Sequence, residues 1–215
     1  YGGIYAAHLR YQDYERSGAW DEIIELSQAS GIPVHVSHER VDEESLEKLE
    51  RVERDGIDLT FESYLYPAGM THGVMLLPMA YQAGSPEDVL ERLKDPRARA
   101  DCTPHLSDKL GARKGSQIIG YTASGRFAGS TLGEAAEASG RSCEDLLFDL
   151  ILEGVGTFIF PWQTPDDDNK ATTAQTAAHP RMMLASDGIY DVPHPHPRGF
   201  GCFAQMLGTF VRERR

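Results

Sequence analysis

Apolar positions recur along this chain in two alternating rhythms. "GGIYAAH" places a short apolar run behind two glycines, and "SGAWDEIIELSQASG" follows it with Trp20, Ile23, Ile24 and Leu26 at helical spacing before stopping at Gly31. "IPVHVSH" repeats the strand signal through Val34 and Val36. "DEESLEKLERVERDG" repeats the helix, with Leu46, Leu49 and Val52 inward and charges outward. "IDLTFESYLY" predicts a third strand. The period is roughly 30 residues, the length of a βα unit.

After Tyr66 the rhythm breaks. "PAGMTHGVMLLPMAYQAGSPEDVLERLKDP" predicts a long loop with a short helix opening at Ser85, where Ser-Pro-Glu-Asp supplies a cap, a first-turn proline and acidic residues. "SQIIGY" is a strand candidate, "TLGEAAEASGRSCEDLLFDLILEG" predicts a short and a longer helix split near Gly140, and "GTFIF" predicts another strand. "DDDNKATTAQTAAHP" is polar and helical in part, and "RMMLASD" is the last strand. Beyond a proline-rich turn, Phe203, Met206, Leu207 and Phe210 fall at helical spacing. No low-complexity tract and no dividing linker interrupts the chain, so a single domain over residues 1–215 is expected.

Repeated βα units predict parallel strands with helices outside, in an open doubly wound sheet or a (β/α)8 barrel. No glycine-rich phosphate loop follows any strand, which removes the main signature of the open nucleotide-binding sheet. Polar residues sit instead where strands end: His8 after "IYAA", His38 after "VHVS" and Asp187 after "MLAS". In a TIM-type barrel those ends make one face, where active sites are assembled from several strands. The expected fold is therefore α/β of the (β/α)8 type.

Composition narrows the partners. A net charge of −12 argues against nucleic acid and anionic membranes, since both need a basic patch. The longest nearly apolar stretch, Gly73 to Tyr81, is far short of the roughly 20 residues of a membrane helix, and no charged-then-apolar leader opens the chain. Cys102, Cys143 and Cys202 lack the close spacing of a zinc ribbon or redox pair, so free thiols in a reducing, cytoplasmic setting are expected. Small molecules remain as partners. The chain begins at Tyr1, inside an apolar run, and is expected to be a piece of something longer.

An aspartate delivered by the apolar run Met182–Ala185 is costly unless a cation or hydrogen-bonded water faces it. Neutral imidazole is the commonest zinc ligand, and a catalytic zinc keeps one position open for water. His8 and His38 are thus candidate metal ligands, with Asp187 the base that takes a proton from water and passes it to a leaving amine. Arg198 carries a fork suited to a carboxylate. Pro193, Pro195 and Pro197 hold the turn before it extended. The same prolines make His194 and His196 a decoy, since such a segment does not fit inside a barrel strand. His35, on the other strand face from His38, is expected to pack against a helix, and His72, His105 and His179 to be solvated in loops or before a proline.

Taken together, "GGIYAAHLR", "GIPVHVSH", "YLYPAG", "STLGEAAEASGRSCEDLLFDLILEG", "HPRMMLASDG" and "HPHPRGFGCFAQMLGTFVRE" resemble the D-aminoacylase or N-acyl-D-amino-acid deacylase family of the amidohydrolase superfamily, in the same order along nearly the whole chain. Its most specific piece is the His-Pro-Arg turn, eleven residues after the Ser-Asp-Gly aspartate. The resemblance implies a zinc-dependent barrel with a small β-sandwich built from the chain ends, of which this chain would hold strands five to eight. It implies His8 as the zinc ligand ending strand five, His38 as the one ending strand six and Asp187 as the catalytic residue on strand eight. Arg198 would bind the carboxylate of an N-acyl-D-amino acid, with Tyr64 or Tyr66 assisting, and one or two zinc ions would serve the parent enzyme.

The departures are as informative. The two-histidine motif of the first strand, the bridging cysteine and the sandwich strands are not in this sequence. Arg40 stands where the family often has lysine, and "YLYP" replaces the commoner Tyr-Pro-Tyr order, which places the differences on substrate preference. The expected activity is hydrolysis of a linear amide bond. The incomplete barrel would be completed by a missing N-terminal segment or a homo-oligomer, since open sheet edges aggregate. Two other readings stand beside this one. A cyclic-amide hydrolase of the dihydroorotase or hydantoinase type is opposed by the "HPHPR" turn, and a non-catalytic binding or scaffold piece would keep the residues without a working metal.

Overall fold

The computed structural model describes residues 2–11, 16–161 and 167–213. In chain order the elements are β1 (Tyr5–Ala7), α1 (Arg16–Ser30), β2 (Val34–Val36), α2 (Glu43–Arg54), β3 (Leu59–Ser63), β4 (Thr71–His72), α3 (Pro86–Leu93), α4 (Pro96–Leu110), β5 (Gln117–Tyr121), α5 (Leu132–Ser139), α6 (Cys143–Glu153), β6 (Phe158–Pro161), α7 (Asp167–Ala178), β7 (Met182–Leu184) and α8 (Arg198–Gln205), which continues as π-helical turns over Met206–Glu213. By their contacts they form two compact units: Tyr1–Pro67, Pro165–Gly188 and Pro197–Arg215 make the first, and Ala68–Thr164 with Ile189–His196 the second. No composition shift marks the crossings, so the division is visible only in the packing.

The first unit is built on a parallel sheet of order β1-β2-β3-β7. Val34 and Val36 of β2 and Leu59 and Phe61 of β3 are buried on one face, in a core with Trp20 and Ile24 of α1 and Leu49 and Val52 of α2. Each such side chain contributes roughly 1.5–3 kcal/mol by leaving water. That packing is what the helical spacing of Trp20, Ile24, Leu49 and Val52 predicts. A reciprocal cap starts α2, with the Asp42 side chain accepting from the Ser45 amide and the Ser45 hydroxyl from the Asp42 amide.

The opposite sheet face carries Ala6, His35, Thr60, Glu62 and Met183, aligned by the register pairs Ala6 with His35, His35 with Thr60, and Glu62 with Met183. His35 therefore faces away from α1 and α2, where it was expected to pack against a helix. Its Nδ1 lies 2.8 Å from Thr60 Oγ1 and its Nε2 3.4 Å from Glu62 Oε2. The valines on either side of it take the helix-facing positions, and alternation sends the imidazole the other way.

The second unit holds an antiparallel sheet of order β4-β6-β5, so the expected strands "SQIIGY" and "GTFIF" form but pair with each other outside the parallel sheet. Its core gathers Leu106, Ile119, Phe148 and Ile151 among others. α3 opens on a Ser85 cap as expected, and Gly140, at φ +64°, separates α5 from α6. α4 is the element the periodicity hid, because Pro104 lies inside it. It persists because Ala98, Cys102, Leu106 and Leu110 bury one i, i+4 stripe. His105 is thus helical, not in a loop. The ring of His72 lies 3.9 Å from that of Phe158, and in the first unit His179 lies 5.3 Å from Phe61, so both imidazoles pack on aromatic rings.

In α8 the buried residues are Arg198 and Cys202, while Phe203, and Leu207 in the π-helical turns beyond, are exposed. Among the described residues no helix is long and apolar enough to cross a membrane. The loop after β2 is tied to α7 by one buried bond, from the Val41 amide to Thr176 Oγ1 at 2.9 Å across 135 residues. Thr176→Val should leave that amide unpaired and cost about 1–3 kcal/mol, whereas Thr176→Ser should keep most of the stability. Urea unfolding midpoints of the two variants check this.

Candidate functional site

Parallel pairing puts the C-terminal ends of β1, β2, β3 and β7 along one edge, and the expected site residues follow directly. His8 is the first residue after β1, His38 the second after β2 and Asp187 the third after β7. The ladder runs on into these turns, with the Ser37 amide on the Ala7 carbonyl at 2.9 Å and the Ala185 amide on the Ser63 carbonyl at 3.0 Å. His38 and Asp187 then turn through left-handed backbone, at φ +41° and +45°. A non-glycine residue held there costs on the order of 1–3 kcal/mol, a cost concentrated at functional sites.

The His8 and His38 rings lie 4.6 Å apart at 42°. Burial lowers the His8 pKa, and the nearby His38 adds to this while Asp187 opposes it. His8 is therefore held toward the neutral imidazole that a zinc ion takes. Two neighbouring imidazoles on adjacent strand ends fit two positions of a zinc site. Among the described residues no group of three or more His, Cys, Asp or Glu side chains gathers as a metal site, so the set is partial. His194 and His196 belong to no such group. The His194 ring fills the space over Gly129, where a Cβ would meet it, and its amide bonds the Gly120 carbonyl.

Asp187 is met by Arg198, whose Nη2 lies 2.8 Å from Oδ2. The guanidinium is buried, with 2% of its side chain exposed, and its Cζ lies 4.4 Å from the centroid of the Tyr64 ring. The opening turn of α8 holds Arg198 there: Cys202 Sγ donates to the Ala185 carbonyl at 3.2 Å, and a Cβ on Gly201 would collide with the Tyr66 hydroxyl. Glycine at 201 is what lets the helix approach the segment after β3. The Tyr66 phenol is itself pushed up by burial, with the Cys202 thiol adding to the shift.

Arg40, expected on the substrate, donates Nη1 to the Pro67 carbonyl at 2.9 Å and Nη2 to the Tyr66 carbonyl. Between His38 and Arg40 lies a residue that sequence reasoning missed. Glu39 is 4% exposed, its Oε1 accepts from the Arg40 amide at 2.8 Å and its own amide bonds the Glu62 carbonyl. Burial pushes its pKa up to about 8. A single carboxylate in a polar turn carries no periodic signal, so nothing in the pattern distinguishes it from the exposed Glu43 and Glu47 nearby.

With this geometry in place, the likeness to known proteins concerns the fold first. The chain has the α/β fold of part of the D-aminoacylase amidohydrolase structure. It superposes on a D-aminoacylase with a binuclear metal centre at a TM-score of 0.67, with 22% identity, over 99% of this chain and 38% of that one. On the N-acyl-D-glutamate deacylase of Bordetella bronchiseptica, complexed with zinc and a phosphonate mimic of the tetrahedral intermediate, the TM-score is 0.69, with 20% identity over 100% of this chain and 38% of that one. In sequence its homologues include the N-acyl-D-glutamate deacylase of Alcaligenes xylosoxydans xylosoxydans, 23% identical over 99% of this chain, and the D-aminoacylase of the same organism, 25% identical over 99%. The chain spans 37% of the length of each of these two curated relatives. No protein-family model matches it. The resemblance read from the motifs is borne out.

Glu39 and His8 give opposite pH dependences. A carboxyl raised to about 8 in the fold contributes stability that is full below its ordinary value near 4.5 and is lost as pH rises through 8. A histidine lowered in the fold contributes stability that is lost as pH falls below its ordinary 6.5. Glu39→Gln should therefore raise the melting temperature above wild type at pH 8 to 9 and change it little near pH 5. A calorimetric pH series reads this difference.

Proposed function

We propose that this chain is the C-terminal share, strands five to eight, of a (β/α)8 barrel in a zinc-dependent amidohydrolase that cleaves N-acyl-D-amino acids. The observation that carries the reading is the convergence of His8, His38 and Asp187 at the C-terminal ends of three parallel strands of one sheet, with the histidine rings 4.6 Å apart. The likeness to deacylases of N-acyl-D-amino acids supports the reaction class. β1 and β7 are edge strands among the described residues, as a barrel segment requires. Free thiols at Cys102, Cys143 and Cys202 fit a reducing, cytoplasmic compartment.

In this reading His8 and His38 hold zinc, which when bound polarises the acyl carbonyl and acidifies water. Arg198 recognises the carboxylate of the substrate. Its fork is engaged by Asp187 in the structure, so an arriving carboxylate exchanges with Asp187 on the guanidinium. Asp187 is then released to take the proton of the attacking water and to return it to the leaving amine. The stack of Arg198 on Tyr64 keeps the fork in plane for that exchange.

The chain alone is expected to bind zinc weakly and to show no robust deacylase rate as a monomer, because its ligand set is partial. Elemental analysis, light scattering and an N-acetyl-D-amino acid hydrolysis assay on the purified chain test this together. A monomer with a robust rate would overturn the segment reading. His8→Ala and His38→Ala should each weaken zinc binding, and equal uptake in wild type and both variants would remove them as ligands.

A further inference from the structure

The guanidinium of Arg40 faces main chain. It lies in the turn after β2, two residues beyond His38, and reaches 26 residues along the chain to the Tyr66 carbonyl and 27 to that of Pro67. Its Cζ is also 5.4 Å from the centroid of the Tyr64 ring, the ring on which Arg198 stacks at 4.4 Å. We propose that Arg40 is a positioning residue, whose planar fork holds the segment from Tyr64 to Pro67 so that the Tyr64 ring backs the guanidinium of Arg198.

Two consecutive carbonyls presented to one guanidinium suit a rigid fork with several fixed donors. A lysine ammonium is a point charge on a flexible stem and does not match that pair. The segment has to be held from this side because β3 ends at Ser63, so residues 64–67 lie beyond the sheet ladder. On the other side the segment meets α8, where the Tyr66 hydroxyl lies against Gly201. Arg40 and α8 thus grip one short stretch of chain, and the ring between them sets where Arg198 lies.

This inference rests on the proposed function only for what Arg198 does with its fork. Its test needs neither substrate nor zinc, so it can fail while the deacylase reading stands, and the reverse. In the 15N-labelled chain the Nε–H signal of the buried Arg198 should be displaced by the ring current of Tyr64, with Tyr64→Leu giving the undisplaced position. Arg40→Ala and Arg40→Lys should both move that signal toward the Tyr64→Leu position and should both speed amide exchange over residues 65–68 by about tenfold or more, while the α2 amides stay protected. A wild-type signal in Arg40→Lys would show that charge suffices and overturn the fork. No movement in either variant would overturn the proposal outright. Should Arg40→Ala unfold, Arg40→Lys decides alone, and in wild type the slowed exchange of the Arg40 Nη protons must be seen.

Discussion

The parallel pairing of β1, β2, β3 and β7 is the constraint on which the rest of this structure depends. Because the four strands run the same way, every one of them delivers its following turn to the same edge of the sheet. Residues at 8, 38 and 187, far apart in sequence, are thereby delivered to one edge, His8 and His38 from directly paired strands. The pairing is in turn held by burial of one face under α1 and α2, since Val34, Val36, Leu59 and Phe61 leave water only in this register. A slip of one residue would turn those side chains to the His35 face and send the site histidines the other way.

On that scaffold the site is assembled from charges that restrain one another. Arg198 is buried and needs a counter-charge, which Asp187 provides, and Asp187 is held in left-handed backbone that the turn after β7 maintains. Tyr64 covers the guanidinium, Arg40 anchors the carbonyls of the two residues that follow Leu65, and the absence of a side chain at Gly201 lets α8 close on Tyr66. His8 and His38 form a pair of rings beside this network, with Asp187 acting electrostatically on His8.

Much of this was legible from local patterning. The first three strands, their two helices and the strand before Asp187 came from apolar period, and the strand-end positions of His8, His38 and Asp187 followed from where each apolar run stopped. α4 was not legible, because Pro104 masks its spacing, while in the fold the buried stripe from Ala98 to Leu110 and the Asp95 cap support the helix. The pairing of β5 and β6 was not legible either. A strand signal reports that a segment is extended and half-buried but is silent on its partner, so both were indistinguishable from members of the parallel sheet. His35 was misplaced for a related reason: alternation assigns a face but does not say which face the helices cover.

By itself the sequence determined most of the strands and helices, which residues end the first two strands and the last, and the likeness to deacylases that its motifs carry. These are local properties, written in spacing and residue type. Tertiary structure alone decided the contacts of Arg40, Glu39 and Gly201 and the engagement of Asp187 with Arg198. Each of those depends on groups separated by turns whose backbone course no periodicity encodes. A guanidinium two residues past a histidine has the same sequence whichever carbonyls it meets, and only the folded path of residues 64–67 brings those of Tyr66 and Pro67 to it.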